Sequence, residues 1–273
     1  MGDIDNIPVS ALQLDDARAG LALSTEAHWN QTEADWRFFL EKGTVFGVRD
    51  GRHLIATAAL LPYSGGNAWI SMVLVTQRWR RRGIATRLID ACLDAARTHE
   101  LAAWLDATPD GGRVYGPLGF MPTLLLRRLR LANASATSAT RLHGGKLDEF
   151  LTRDINAIGF DRRLLLQELA ARPGSRLLTN GDAIALIRDG RTARHLGPLF
   201  ADTPASALRL VGDVLAGETG PVLIDAVASQ GVFLKGLTES GWIVERSFQR
   251  MRFGRATTQA AEIPFAVAGP EYG

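Results

Sequence analysis

Residues Val75–Leu88 read VTQRWRRRGIATRL, a stretch dense in arginine with one glycine in its middle. Three readings compete for it: a nucleic-acid patch, a solvated helix face, or a cradle for a phosphorylated ligand. Its neighbours decide. AWISMVLV (Ala68–Val75) is apolar on both faces, the pattern of a central strand covered on each side by helices. Downstream, Ile84, Leu88, Ala91, Cys92 and Ala95 recur at i, i+4, i+7, i+8 and i+11, which predicts an amphipathic helix of about four turns ending near His99. The arginines therefore sit in a strand-to-helix turn, with Gly83 at the helix start. First-turn amides have no partner within their helix, and the helix dipole makes them an anion site. Gly83 has no Cβ to keep an anion from the backbone, and Arg80, Arg81 and Arg82 add positive charge at the same point. The ligand that fits best is a pyrophosphate.

The chain outside this stretch repeats itself. TVFGVRDGRHLIATAAL has two apolar runs around Asp50-Gly51, a hairpin signal, and RLLTNGDAIALIRDGRTARHLGPL reads as a three-strand meander turning at Asn180-Gly181 and Asp189-Gly190. LAAWLDA (Leu101–Ala107) matches GPVLIDA (Gly220–Ala226), and LGFMPTLLLRRLRL (Leu118–Leu131) matches SGWIVERSFQRMRF (Ser240–Phe253). Gly119 and Gly241 stand 122 residues apart, as do Arg130 and Arg252. A period near 120 is a domain duplication, too long for a solenoid unit. The predicted organisation is two α/β domains of one design, residues 1–132 and 146–273, joined by the small, polar segment 133–145. The copies differ where it matters. Thr76–Ile89 spans 14 residues, whereas its counterpart Asp202–Val211 spans 10 and has no arginine-glycine turn.

RRRGIA (Arg80–Ala85) satisfies Arg/Gln-x-x-Gly-x-Gly/Ala, and VYGPLGF (Val114–Phe120) is similar to a Tyr-x-x-x-Gly-Phe segment. On these motifs, in this order, residues 20–131 resemble the GNAT (Gcn5-related) N-acetyltransferases. Gly116-Pro117 replaces the Glu-Lys common in that family after the tyrosine, and Gln77 stands where proline is common. The whole chain resembles bacterial tandem-GNAT proteins with a degenerate second domain. The resemblance implies two tandem domains, each a twisted mixed sheet flanked by helices, and one acetyl-CoA per chain, held by the first. It implies direct transfer of the acetyl group to a primary amine, whether of a small molecule or a peptide. It assigns the pyrophosphate to Arg80, Arg81, Arg82, Gly83, Ile84, Ala85 and Thr86. A backbone amide within Val73, Leu74 and Val75 would polarise the thioester carbonyl. Tyr115 would protonate the departing thiolate. The alternative is a non-catalytic acyl-CoA-binding sensor.

Acceptor-side candidates come from STEAHWNQTEADW (Ser24–Trp36): Glu26 and His28, weighed against ordinary surface positions, and Trp29, which with Trp36 and Phe39 stands at helical spacing and is weighed against a core role. Asp106, at a strand end, is a further candidate, weighed against a loop-capping role. Cys92 falls on the buried helix stripe and reads as inert. His195, alone on a strand of the second half, reads as structural. No histidine, cysteine and carboxylate cluster has metal-ligand spacing, so no metal is expected. The composition, 46% hydrophobic and 22% charged with a net charge of +2, is that of a globular chain without a broad phosphate footprint. Arg128 and Arg130 alternate along one strand and read as a solvated face, so no nucleic-acid partner is expected. The N-terminus lacks a signal peptide's basic and apolar regions, and no apolar run reaches the roughly 20 residues of a membrane span, so a soluble cytoplasmic protein is expected.

Overall fold

The structure, a computed structural model, describes residues 7–134, 142–255 and 260–273. The elements run β1 (Val9–Ala11), α1 (Ala17–Glu26), α2 (Glu33–Lys42), β2 (Thr44–Asp50), β3 (His53–Tyr63), β4 (Asn67–Val75), α3 (Ile84–Thr98), β5 (Ala102–Ala107), α4 (Pro109–Tyr115) and β6 (Met121–Ala134). They continue with β7 (His143–Gly144), α5 (Leu147–Ile158), α6 (Arg163–Ala171), β8 (Arg176–Asn180), β9 (Ala183–Arg188), β10 (Arg194–Phe200), α7 (Pro204–Leu215), β11 (Gly220–Val227), α8 (Gly231–Glu239) and β12 (Ile243–Phe253).

Two compact units divide at Leu105/Asp106, and Arg252 and the residues just after it return to the first unit. This boundary falls well before the segment 133–145 that the sequence suggests as a linker. The reason is a ladder: β6 is antiparallel to β11 from Leu131↔Val222 to Leu126↔Val227, which draws β6 and the preceding α4 into the second unit. Residues 135–141 of the expected linker lie outside the described residues.

In the first unit the strand order is β1-β2-β3-β4-β5. Neighbours are antiparallel except β4 and β5, which are parallel and are joined through α3. The expected hairpin is present: Asp50 pairs with His53, and Gly51 turns the chain at φ +58°, a conformation glycine adopts without steric cost. α2 begins in a reciprocal cap, Thr32 Oγ1 accepting from the Asp35 amide and Asp35 Oδ2 accepting from the Thr32 amide. That cap aims Trp36 and Phe39 inward, where both are fully buried and Trp36 Nε1 donates to Ser24 Oγ at 2.9 Å. The core reading of these aromatics holds. α3 buries Ile84, Leu88, Ile89, Cys92, Leu93 and Ala96, so the stripe expected through Ala91 and Ala95 is rotated slightly and those two alanines are only half-buried. Burial pushes the Cys92 thiol up, which suppresses the thiolate and leaves the group inert.

In the second unit the order is β12-β6-β11-β10-β9-β8-β7. The meander β8–β9–β10 is antiparallel, and β10 runs parallel to β11 through α7, the same arrangement that α3 makes in the first unit. Its core gathers Ile187, Leu196, Leu210, Ile224 and Phe233.

Candidate functional site

The site begins with an irregularity in β4. Ala59 of β3 opposes Ser71, yet Thr57 opposes Leu74, so Met72 and Val73 together face Ala58. This is a β-bulge. Met72 takes φ +52°, a left-handed conformation that costs a non-glycine residue about 1–3 kcal/mol. Burial of its side chain and a 2.8 Å hydrogen bond from Thr57 Oγ1 to its carbonyl hold it there. The registered pairing of β4 with β5 covers Asn67–Trp69, so Val73, Leu74 and Val75 lie beyond that ladder, with the Val73 and Val75 side chains half-exposed.

The turn after β4 is built by local hydrogen bonds. The Thr76 amide donates to the Ile55 carbonyl (2.9 Å), and the Gln77 amide donates to Glu26 Oε1 (2.8 Å). Arg80 Nε reaches back to the Val75 carbonyl at 3.1 Å, and the Arg82 guanidinium lies 5.0 Å from the ring centre of buried Trp79. Arg81 (φ +59°) and Gly83 (φ +74°) are both left-handed, and together they swing the chain into α3. Gly83 is the N-cap and supplies no side-chain cap; the Arg87 amide makes the first helical bond, to the Gly83 carbonyl at 3.1 Å. The amides of Gly83, Ile84, Ala85 and Thr86 are thus the orphan donors of the first turn. No heavy atom comes within 4 Å of where a Cβ on Gly83 would stand, and Arg80, Arg81 and Arg82 are all exposed. Open space, four amides and three cations at one helix start are what a diphosphate requires.

Leu23, Glu26, Leu74, Val75, Thr76 and Arg80 line a narrow pocket beside this turn. Glu26, expected on the acceptor side, is committed to the Gln77 amide and so shapes the turn. His28 is exposed at φ +57° just after α1, and Trp29 beside it is half-buried; neither lines this pocket.

The repeat shows the converse. α7 begins at Pro204, which has no amide proton, and Thr203 caps it, Oγ1 accepting from the Ser206 amide at 3.1 Å. A helix start already satisfied from within offers an anion little.

Tyr115 is the last residue of α4 and belongs to the second unit. It is buried, its ring centre 5.9 Å from that of Phe120, and its carbonyl accepts from the amides of Leu118 and Phe120. Pro117 follows the end of the helix and leaves α4 unbroken. Asp106 does not cap the TPDGG loop: Thr108 does, accepting from the Gly111 amide at 3.2 Å. Asp106 is instead locked to Arg250 of β12 by two 2.9 Å hydrogen bonds. Burial pushes its carboxyl up and the Arg250 guanidinium opposes that.

Sequence reasoning misread Arg128. It lies buried, with Nε and Nη2 on the two oxygens of Asp225 at 2.8 and 2.7 Å. Alternation along a strand assigns a residue to a face but does not say whether that face is covered. His195 Nε2 donates to Asp225 Oδ2 at 2.8 Å, while Arg188 donates to its Nδ1. Burial, reinforced by Arg188, outweighs the pull of Asp225, keeps the imidazole neutral and brings its pKa down to about 4. Burial would raise the Asp225 carboxyl, but Arg128 and His195 outweigh it and hold it below the usual range. The signs agree. Unfolding exposes a histidine of ordinary pKa near 6.5 that takes up a proton the folded one refuses. Its contribution is complete above about pH 6.5 and is lost as pH falls toward 4, on the order of 3 kcal/mol in all. Below about pH 4 protonation of Asp225 adds to the loss. Urea unfolding at pH 7, 6, 5 and 4 checks this, and a flat profile from 7 to 5 would contradict it.

Among the described residues no cluster of three or more metal-ligating side chains occurs, and no helix is long and apolar enough to cross a membrane. Residues 11–120 match the Acetyltransferase (GNAT) family, and residues 151–266 match an Acetyltransferase (GNAT) domain. Over 235 residues the chain is 24% identical to an uncharacterized N-acetyltransferase, YitH, of Bacillus subtilis, covering 81% of this chain and 83% of that one. A Pyrococcus horikoshii structure assigned provisionally as an acetyltransferase shares the fold with a TM-score of 0.82 at 19% identity, over 99% of this chain and 97% of its own. A tandem GNAT protein from the clavulanic acid biosynthesis pathway shares it at 0.63 and 14% identity, over 92% and 100%. Two successive GNAT matches on a duplicated mixed sheet place this chain in the GNAT acetyltransferase family, as a tandem member and an acyltransferase.

Proposed function

We propose that the chain is an acetyl-CoA-dependent N-acetyltransferase that passes the acetyl group directly to a primary amine. One observation carries the cofactor reading: the uncapped, glycine-led start of α3 with open space at Gly83 and three exposed arginines around it. Acetyl-CoA supplies the acetyl group as an activated thioester. In this reading the amides of Gly83–Thr86, with Arg80, Arg81 and Arg82, hold the diphosphate. In the same reading an amide of residues 73–75, at or just after the bulge at Met72 and Val73, donates to the thioester carbonyl. As the amine nitrogen bonds the acetyl carbon and the carbon–sulfur bond breaks, Tyr115 donates its proton to the leaving sulfur. Water takes the proton the amine loses, and exchange with solvent restores Tyr115. The tyrosine's role rests on the likeness of Tyr115–Phe120 to the family's tyrosine segment.

The acceptor is an amine of a small molecule or peptide. Release of thiol from acetyl-CoA, screened across small amines, polyamines, amino sugars and lysine peptides, tests the reaction, and no release with any of them would count against transfer to an amine. The cradle is tested separately. Arg80→Ala with Arg82→Ala should weaken CoA binding at least tenfold, since losing even one charge-assisted hydrogen bond costs roughly 1.5–3 kcal/mol. Calorimetry finding unchanged affinity would remove the turn from the site.

A further inference from the structure

β10 and β11 of the second unit are in register from Arg194↔Val222 to Leu196↔Ile224. β10 then breaks register with β9 between Leu196 and Leu199, at the place in the repeat where β4 bulges in the first unit. Beyond that point the two strands are bridged by the chain's own segment Pro264–Ala268. On one side the Leu199 amide donates to the Ala266 carbonyl (3.0 Å) and the Phe265 amide to the Leu199 carbonyl (2.9 Å). On the other, the Val227 amide donates to the Phe265 carbonyl (3.0 Å) and the Val267 amide to the Asp225 carbonyl (3.0 Å). Phe265, Ala266, Val267 and Ala268 are all buried, and Phe265 packs edge-on to Phe233 with ring centres 5.1 Å apart. Arg188 Nη2 holds the Ala268 carbonyl at 2.7 Å. The approach is close enough that a Cβ on Gly197 would strike the Val267 carbonyl oxygen.

We propose that Pro264–Ala268 is a resident peptide that fills, in the second unit, the strand-end position the first unit offers to its thioester substrate. The proposal rests on the reading of β4 given above. Leu199 stands where the end of β4 stands in the other copy, and its amide is already satisfied by a peptide carbonyl, the chemical counterpart of a thioester carbonyl. Thr203 and Pro204 independently close the start of α7 to a diphosphate. The second unit is therefore shut to acyl carriers by polypeptide, beyond having lost the arginine-glycine turn, and the chain has one carrier site.

Hydrogen exchange followed by mass spectrometry on the full chain, with and without CoA, tests this. Peptides covering Leu199, Val227 and 264–268 should exchange as slowly as those of β9, and saturating CoA should leave them unchanged. Gly197→Ala should speed exchange over 264–268 at least tenfold while leaving α3 as it was. Rapid exchange of 264–268 in the unaltered protein, any CoA-dependent change there, or a folded Gly197→Ala protein with unchanged exchange would overturn the proposal. If Gly197→Ala does not fold, the unaltered protein still decides. Failure of CoA to slow exchange at residues 83–86 would sink the functional reading and with it the likeness to a substrate position, whereas the seating of 264–268 between β10 and β11 is measured without ligand and is judged separately.

Discussion

Tyr115→Phe is expected to slow turnover at least tenfold, within the 10²–10⁴-fold typical of a positioned proton donor, while CoA affinity stays as it was. The substitution removes one oxygen. The ring remains against Phe120, the helix that ends at Tyr115 keeps its Thr108 cap, and the backbone bonds to Leu118 and Phe120 do not involve the side chain. Loss confined to kcat is the signature of an interaction made in the transition state. Wild-type turnover in the phenylalanine protein would take Tyr115 out of the mechanism.

Asp225→Ala should produce the largest change in stability. The carboxylate is fully buried and receives Arg128 through two hydrogen bonds and His195 through a third. Removing it strands a buried guanidinium beside an imidazole that already faces Arg188. Breaking one partner from a buried pair costs about 3–5 kcal/mol, so the melting temperature should fall by about 6–20 °C. A loss under about 1 kcal/mol by urea unfolding would show that the cluster relaxes or takes in water. Asp225→Asn, which keeps the shape and some of the hydrogen bonds, should fall between the two.

The strand, turn and helix around Gly83 were readable because each leaves a local mark: apolar on both faces, arginine with glycine, then a 3.6-residue stripe. The hairpin at Asp50-Gly51 and the meander were readable for the same reason. The bulge was not, since nothing in ISMVL marks Met72 as left-handed; burial and Thr57, fifteen residues away, impose it. Arg128 and Asp106 were misjudged because their partners, Asp225 and Arg250, lie 97 and 144 residues along the chain. Glu26 appeared free for an acceptor, whereas the fold spends it on an amide 51 residues away. Pairwise chemistry at such separations has no period to betray it.

The ladder that carries β6 into the second unit, and the return of Arg252 and Phe253 to the first, bear on how this duplication persists. Arg252 lies 5.5 Å from the ring centre of Trp104, and Arg97 lies 5.4 Å from that of Phe253, so the early half is finished by residues encoded near the end. Cutting the chain after the early half strips those residues from it. The later half therefore cannot be discarded without taking Arg252 and Phe253 from the earlier one, whatever its own chemistry.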